Sequence, residues 1–180
     1  MNQMWLWFLN RGTGVVLLGL MTLTVVLGIW TTTGRAGRGM PRFVTQQLHR
    51  NLSLVSAVLL VVHVAAAVLD SYVTIDWVDA IVPFIGSYKP LWLGFGTLAL
   101  DLIAVTIVTS LLRHRMNERL WRGLHLLSYG AWGVSVVHGL GIGTDALAPW
   151  SWWVTVLCVA AVAIAWTIRF VGGWVQGAKA

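Results

Sequence analysis

Charge is what this sequence has least of. Only 10% of its 180 residues are Asp, Glu, Lys or Arg, against about 25% in a soluble globular domain, so a folded surface could not be clothed in water. That excludes a water-soluble enzyme domain and a disordered tail. A single cysteine excludes a disulfide framework, a thiolate metal cage and a CxxC redox pair. There is no internal repeat, no low-complexity tract and no linker long enough to separate domains, so residues 1–180 read as one domain. Gly141 and Gly143 form a lone GxG without the strand–turn–helix context of a nucleotide site.

What is present is apolar. Hydrophobic residues make up 58% of the chain, twelve of them Trp, and the mean hydropathy is +0.79. Tryptophan collects at membrane interfaces. Five stretches, 12–30, 49–69, 90–112, 120–140 and 150–171, come close to the roughly 20 residues that cross a hydrocarbon core of about 30 Å. No basic segment precedes the first and no small-residue cleavage site follows it, which reads as a retained span. A sixth apolar piece, 75–85, mixes Trp77, Val78, Ile81, Val82, Phe84 and Ile85 with Asp76 and Asp79. It is too short to span and is interrupted by Pro83, so it reads as an amphipathic segment on the outer face.

The net charge of +6 is a topology signal, with no call for nucleic acid. Arg35, Arg38, Arg42 and Arg50, then Arg113, Arg115, Arg119 and Arg122, then Arg169 and Lys179, all fall on one side of a five-span chain. The positive-inside rule makes that side cytoplasmic. Asp70, Asp76, Asp79 and Asp145 fall on the other. The fold class is therefore an all-α membrane bundle of five spans in the plasma membrane, surrounded by lipid, with the N-terminus outside and the C-terminus cytoplasmic.

Ionisable residues inside a bilayer are functional suspects. Four of the five histidines lie in spans: His49 and His63 on the second, fourteen residues apart, and His125 and His138 on the fourth, thirteen apart. At 1.5 Å per residue those intervals are about 21 and 19.5 Å. Both spans run from inside to outside, so His49 shares a level with His125, and His63 with His138. Each level offers two imidazoles on different helices, the axial pair that a haem iron needs. A lone membrane histidine is more simply a polar residue bonded to a neighbouring helix. Four at matched depths favour two stacked bis-histidine haem sites. Fourteen residues return a helix to within about 40° of its start and thirteen leave it about 140° away. His49 and His63 thus share a face, with Ser53 and Ser56 near it. The fourth helix is either distorted, with slack at Gly130 and Gly133, or the two haems are rotated relative to each other.

The run from Arg119 through Trp121, Gly123, His125 and Tyr129 to Val137-His138-Gly139 resembles the haem-binding helix of the ferric reductase-like transmembrane family. Leu48-His49-Arg50-Asn51-Leu52 through Val62-His63 is similar to that family's other ligand helix. Arg11-Gly12-Thr13-Gly14 resembles a segment whose arginine lies at the outer haem. The resemblance implies two b-type haems and transmembrane electron transfer. It also marks two departures. The family's leading helix is absent, and the eleven residues after Arg169 leave no room for the flavin and nicotinamide domain that its oxidases and reductases carry. Electrons are then expected to come from a cytoplasmic flavoprotein reductase or a membrane quinol. The acceptor is an extracytoplasmic flavin-binding protein, ferric iron or oxygen. A quinone-linked cytochrome b anchor and a haem-free transporter or scaffold are the competing readings.

The remaining site candidates carry simpler alternatives. Haem propionates seek basic partners: Arg50 and Arg122 for the inner haem, where they could equally be topology markers, and Arg11 and Lys89 for the outer one. Asp101, in the third span, could accept a hydrogen bond from a ligand imidazole or sit protonated against a Ser or Thr. Trp132 lies between His125 and His138 and serves either electron transfer or packing. His114 reads as a solvated loop residue and Cys158 as an inert buried thiol.

Overall fold

The computed structural model describes residues 4–32, 41–143 and 148–177. Those residues are helical, with no strand among them: α1 (Met4–Thr32), α2 (Arg42–Leu69), α3 (Pro90–Leu111), a 3₁₀ turn (Arg113–Arg115), α4 (Glu118–His125), α5 (Leu127–Ile142) and α6 (Pro149–Gly177). Arg35, Arg38, Asp145 and Lys179, which entered the topology argument, lie outside the described residues.

Local chemistry sets the helix starts. Pro90 opens α3 at a position whose N–H would have no partner anyway. The Asn117 side chain accepts from the Arg119 N–H at 2.8 Å and caps α4. Helices α1 and α2 begin earlier than the apolar runs at 12 and 49 because backbone hydrogen bonding continues through their polar and interfacial turns.

Four helices, α1, α2, α3 and α6, are long and apolar enough to cross a membrane. The expected fourth span, 120–140, departs from the sequence reading. It is divided at Leu126 into α4 and α5, of 8 and 16 residues. At the break the Tyr129 N–H bonds to the Leu126 carbonyl at 3.1 Å. The His125 carbonyl accepts instead from Ser128 Oγ at 2.7 Å. The Leu126 N–H is shared between the Arg122 and Gly123 carbonyls, each at 3.2 Å. The i→i+3 bonds wind the chain more tightly than an α-helix at this one residue, in the direction that brings His138 round toward the face of His125. The distortion lies at Leu126 and not at Gly130 or Gly133.

Helix α1 packs against α2, α5 and α6, while α3 packs against α4 and α5. The histidine-bearing helices, α2 on one side and α4–α5 on the other, make no extensive packing with each other. A cluster of Val25, Ile29, Val162 and Ala165 joins α1 to α6, with Tyr129, Trp132 and Trp166 packed on it. Many large apolar side chains are exposed, as they are when the solvent is lipid. Several helical hydroxyls are satisfied internally: Thr22, Thr24, Thr106 and Ser135 each donate to the carbonyl four residues back, whereas the buried Ser56 hydroxyl of α2 has no partner.

The segment 75–85 forms turns, with Trp77, Ile81 and Ile85 exposed. It is tied to α3 by Thr97 Oγ1 donating to the Asp79 carbonyl at 2.6 Å and by Phe84 lying on Gly94.

Candidate functional site

The structure brings the four membrane histidines together in two pairs. The His49 and His125 rings meet in an edge-on arrangement with centroids 6.2 Å apart and planes at 65°. His63 and His138 are close enough to interact electrostatically. The pairing follows depth, His49 with His125 and His63 with His138.

Each imidazole is fixed through Nδ1. His49 Nδ1 lies 2.9 Å from the Thr24 carbonyl, His63 Nδ1 3.0 Å from the Asn10 carbonyl, and His138 Nδ1 2.8 Å from the Trp92 carbonyl. A carbonyl only accepts, so Nδ1 carries the proton in these three rings and Nε2 presents its lone pair. His125 Nδ1 lies 3.4 Å from Ser110 Oγ, and its ring stacks on Trp121 at 5.1 Å and 27°. The Arg113 guanidinium lies over that indole, 5.0 Å from its centroid. Among the described residues Nε2 of all four rings makes no hydrogen bond.

Three of the rings lie on glycines of the neighbouring helix. A Cβ at Gly28 would stand 3.4 Å from His49 Cε1, at Gly14 3.1 Å from His63 Cε1, and at Gly96 2.6 Å from His138 Cε1. In each case the glycine sits four residues after the residue whose carbonyl holds the ring: Asn10 and Gly14, Thr24 and Gly28, Trp92 and Gly96. The same i, i+4 positions at the fourth ring are Thr106 and Ser110. All four positions of α1 recur on α3 at one constant offset of 82 residues. The cradle is therefore duplicated, a repeat that the sequence reading did not find.

The other candidates fall into place around this frame. Arg11 lies beside Gly143, with its guanidinium 5.7 Å from the Trp7 ring centroid. Lys89 Nζ donates to the Gly141 and Ile142 carbonyls, both at 3.2 Å, where the negative end of the α5 dipole favours a cation. These two therefore converge on the end of α5 nearest His138. Gly141 is a packing position as well, since the Trp92 indole lies directly on it. Arg50 is exposed one residue from His49. Arg122 is exposed and paired with Glu118 at 2.6 Å.

Asp101 is half-buried, and none of the four imidazoles donates to it through Nδ1, which is held elsewhere in each. Trp132 Nε1 donates to Thr22 Oγ1 at 2.9 Å, and its ring packs on the α1–α6 cluster. His114 is exposed in the 3₁₀ turn, and Cys158 is buried in a groove between α1 and α6 beside Val16, Gly19 and Leu23.

Sequence reasoning missed Asn10, Gly14, Gly28, Gly96, Ser110 and Trp121. One signal was available: Gly14 and Gly28 on α1 are spaced by the same fourteen residues as His49 and His63. Among the described residues no group of three or more His, Cys, Asp or Glu could hold a metal ion.

A family model described as a domain of unknown function (DUF8596) matches residues 5–145, which contain all four histidines and both cradles. No curated protein matches the chain, and no solved structure does.

Proposed function

The chain belongs to the DUF8596 family, and we propose that it holds two b-type haems, one at each histidine level, and passes electrons across the plasma membrane. One observation carries this reading. Four intramembrane imidazoles are each held at Nδ1 and leave Nε2 unbonded, with the His49 and His125 rings in contact and His63 within electrostatic range of His138. A neutral histidine whose Nδ1–H is held by a carbonyl is oriented as a metal ligand. With metal–nitrogen bonds of about 2.0 Å and ring nitrogens about 1.1 Å from the ring centre, two imidazoles sharing one metal have centroids roughly 6 Å apart. His49 and His125 stand at 6.2 Å. Two histidines are too few for a bare metal ion, whereas a porphyrin brings four nitrogens of its own.

Bound there, haem supplies one-electron chemistry. The chain holds and orients it and keeps water out. Helices α2 and α4–α5 do not pack extensively on each other, and the slot for a flat group would lie between them. Arg11 and Lys89 supply positive charge beside the His63/His138 level, and Arg50 beside the His49/His125 level, for propionate carboxylates. Arg122 is engaged with Glu118 in an exposed pair worth about 0.3–0.5 kcal/mol, which a propionate can displace. Counting α4–α5 as one crossing gives five spans, with the N-terminus outside and the arginine-rich ends cytoplasmic. The donor is then a cytoplasmic flavoprotein or a membrane quinol, and the acceptor an extracytoplasmic flavin-binding protein, ferric iron or oxygen. The resemblance to the ferric reductase-like family supports the same assignment.

The test is the purified protein itself. A haem-to-protein ratio near two with low-spin, six-coordinate spectra is expected. A folded preparation with a ratio near zero overturns the reading, and a ratio near one reduces it to a single level.

A further inference from the structure

The four cradles are not equivalent. At three, a main-chain carbonyl accepts from Nδ1 at 2.8–3.0 Å and the residue four positions on is glycine, so the ring lies against bare backbone. At the fourth, Ser110 takes the glycine's place. The carbonyl that corresponds to the other three, Thr106, accepts no hydrogen bond from His125; the Thr109 hydroxyl lies 3.2 Å from it and donates more closely to the Val105 carbonyl at 2.7 Å. His125 Nδ1 is left with the Ser110 hydroxyl at 3.4 Å. Its ring is steadied by the Trp121 stack, for which the other three histidines have no counterpart among the described residues.

A carbonyl draws the Nδ1 proton toward itself and pushes electron density onto Nε2, making a more basic ligand that favours the oxidised metal. A hydroxyl at longer distance, itself also a donor, pushes less. We propose that Ser110 is a positioning residue that withholds the carbonyl contact from His125, so that the His49/His125 level takes up its electron at a higher potential than the His63/His138 level. The inference rests on the haem reading above. It concerns one electron per level, ferric to ferrous, supplied in the experiment by dithionite.

Two variants of the full chain test it by spectroscopic redox titration, with His63→Ala used to assign each component to its level. Ser110→Gly recreates the other cradles and lets His125 approach the Thr106 carbonyl. Removing or adding an outer contact to a metal-bound histidine changes ligand affinity by about tenfold or more. Acting on the ferric state alone, as the basicity argument requires, a tenfold change in affinity is a tenfold change in the one-electron equilibrium, or 59 mV. The His49/His125 component of Ser110→Gly should therefore fall by about that amount while the other component stays fixed. Ser110→Thr keeps the hydroxyl and should titrate like the parent. Loss of one haem from Ser110→Gly while Ser110→Thr keeps both overturns the inference, because a recreated cradle should hold His125 at least as firmly.

A fully loaded Ser110→Gly with an unchanged or raised potential overturns the inference and leaves the haem reading standing, as does an equal shift of both components. A parent protein that binds no haem overturns the reading and the inference together.

Discussion

Asn10 and His63 exchange two hydrogen bonds between α1 and α2. The His63 ring donates from Nδ1 to the Asn10 carbonyl, and the Asn10 side chain donates from Nδ2 to the His63 carbonyl, both at 3.0 Å. Only the second depends on the Asn10 side chain. Asn10→Ala should therefore destabilise the helix pair by about 0.6–1.7 kcal/mol, the range for an interhelical hydrogen bond in a membrane. Haem content should be unchanged, because the main-chain acceptor survives. Thermal unfolding in detergent, followed beside the haem spectrum, separates the two effects.

The glycines under the rings predict a graded series. A Cβ at Gly96 would stand 2.6 Å from His138 Cε1 and 2.7 Å from its Nδ1, so the ring must move. Overpacking of this kind costs about 1–3 kcal/mol, and Gly96→Ala should lose the haem of that level. At Gly14 the contact is 3.1 Å and partial loss is expected. At Gly28 it is 3.4 Å, an ordinary contact, and the helix-propensity gain of about 1 kcal/mol for alanine over glycine should leave Gly28→Ala as stable as the parent or more so. Haem occupancy across the three variants should fall in the order Gly28, Gly14, Gly96, and the reverse order would contradict the cradle geometry.

The helices and the two histidine levels were legible because apolar run length and residue spacing carry them directly. The break at Leu126 was not. No proline or glycine stands there, and the tightening follows from where His125 must point relative to α2, which is a tertiary demand. The cradles were hidden for another reason: three of the four acceptors are main-chain carbonyls, which any residue possesses. Their duplication shows only in spacing, since Asn10 and Thr24 correspond to Trp92 and Thr106, and Gly28 to Ser110. Asp101 was a candidate orienting carboxylate by depth alone, and in the structure the Nδ1 atoms of His49, His63 and His138 bond to main-chain carbonyls.

Trp132 is held by one hydrogen bond, to Thr22 Oγ1 at 2.9 Å, and by the α1–α6 cluster. Trp132→Phe keeps most of the ring and removes the donor. A loss of about 0.5–1.5 kcal/mol in stability is expected, with both haem potentials within experimental scatter of the parent. A large drop in the rate of electron transfer between the two levels, with stability intact, would restore the electron-transfer role for this indole.

Asp101 supplies a test of opposite sign. It lies in an apolar helix where an ionised aspartate costs about 2.5–3.5 kcal/mol on insertion scales, and none of the four ligand imidazoles donates to it. Asp101→Asn removes the charge and keeps the size, so membrane insertion and thermal stability should hold or improve, with haem content near two. A selective loss of one haem in Asp101→Asn would mean that this carboxylate orients a ligand after all.

The depth pairing of the histidines makes the sharpest prediction. Because His49 faces His125 at 6.2 Å and His63 lies within electrostatic range of His138, single replacements should sort by level rather than by helix. His49→Ala and His125→Ala should each remove the same component of the redox titration, and His63→Ala and His138→Ala the other. The helix-wise alternative, in which His49 and His63 behave alike, would follow if the slot held one group lying along the membrane normal and touching both ends of α2. The cradles oppose that, since α1 holds the two α2 rings fourteen residues apart at separate carbonyls, Asn10 and Thr24. The two histidines of α4–α5, one from each level, differ in support. His138 is held by a carbonyl at 2.8 Å and His125 by a hydroxyl at 3.4 Å. Exogenous imidazole should therefore restore a six-coordinate spectrum more readily in His125→Ala, where the vacated space borders Ser110 and Trp121, than in His138→Ala, where Gly96 and the Trp92 carbonyl close tightly around the ring. Recording rescue against imidazole concentration for the four alanine variants checks both the pairing and this asymmetry in one titration set.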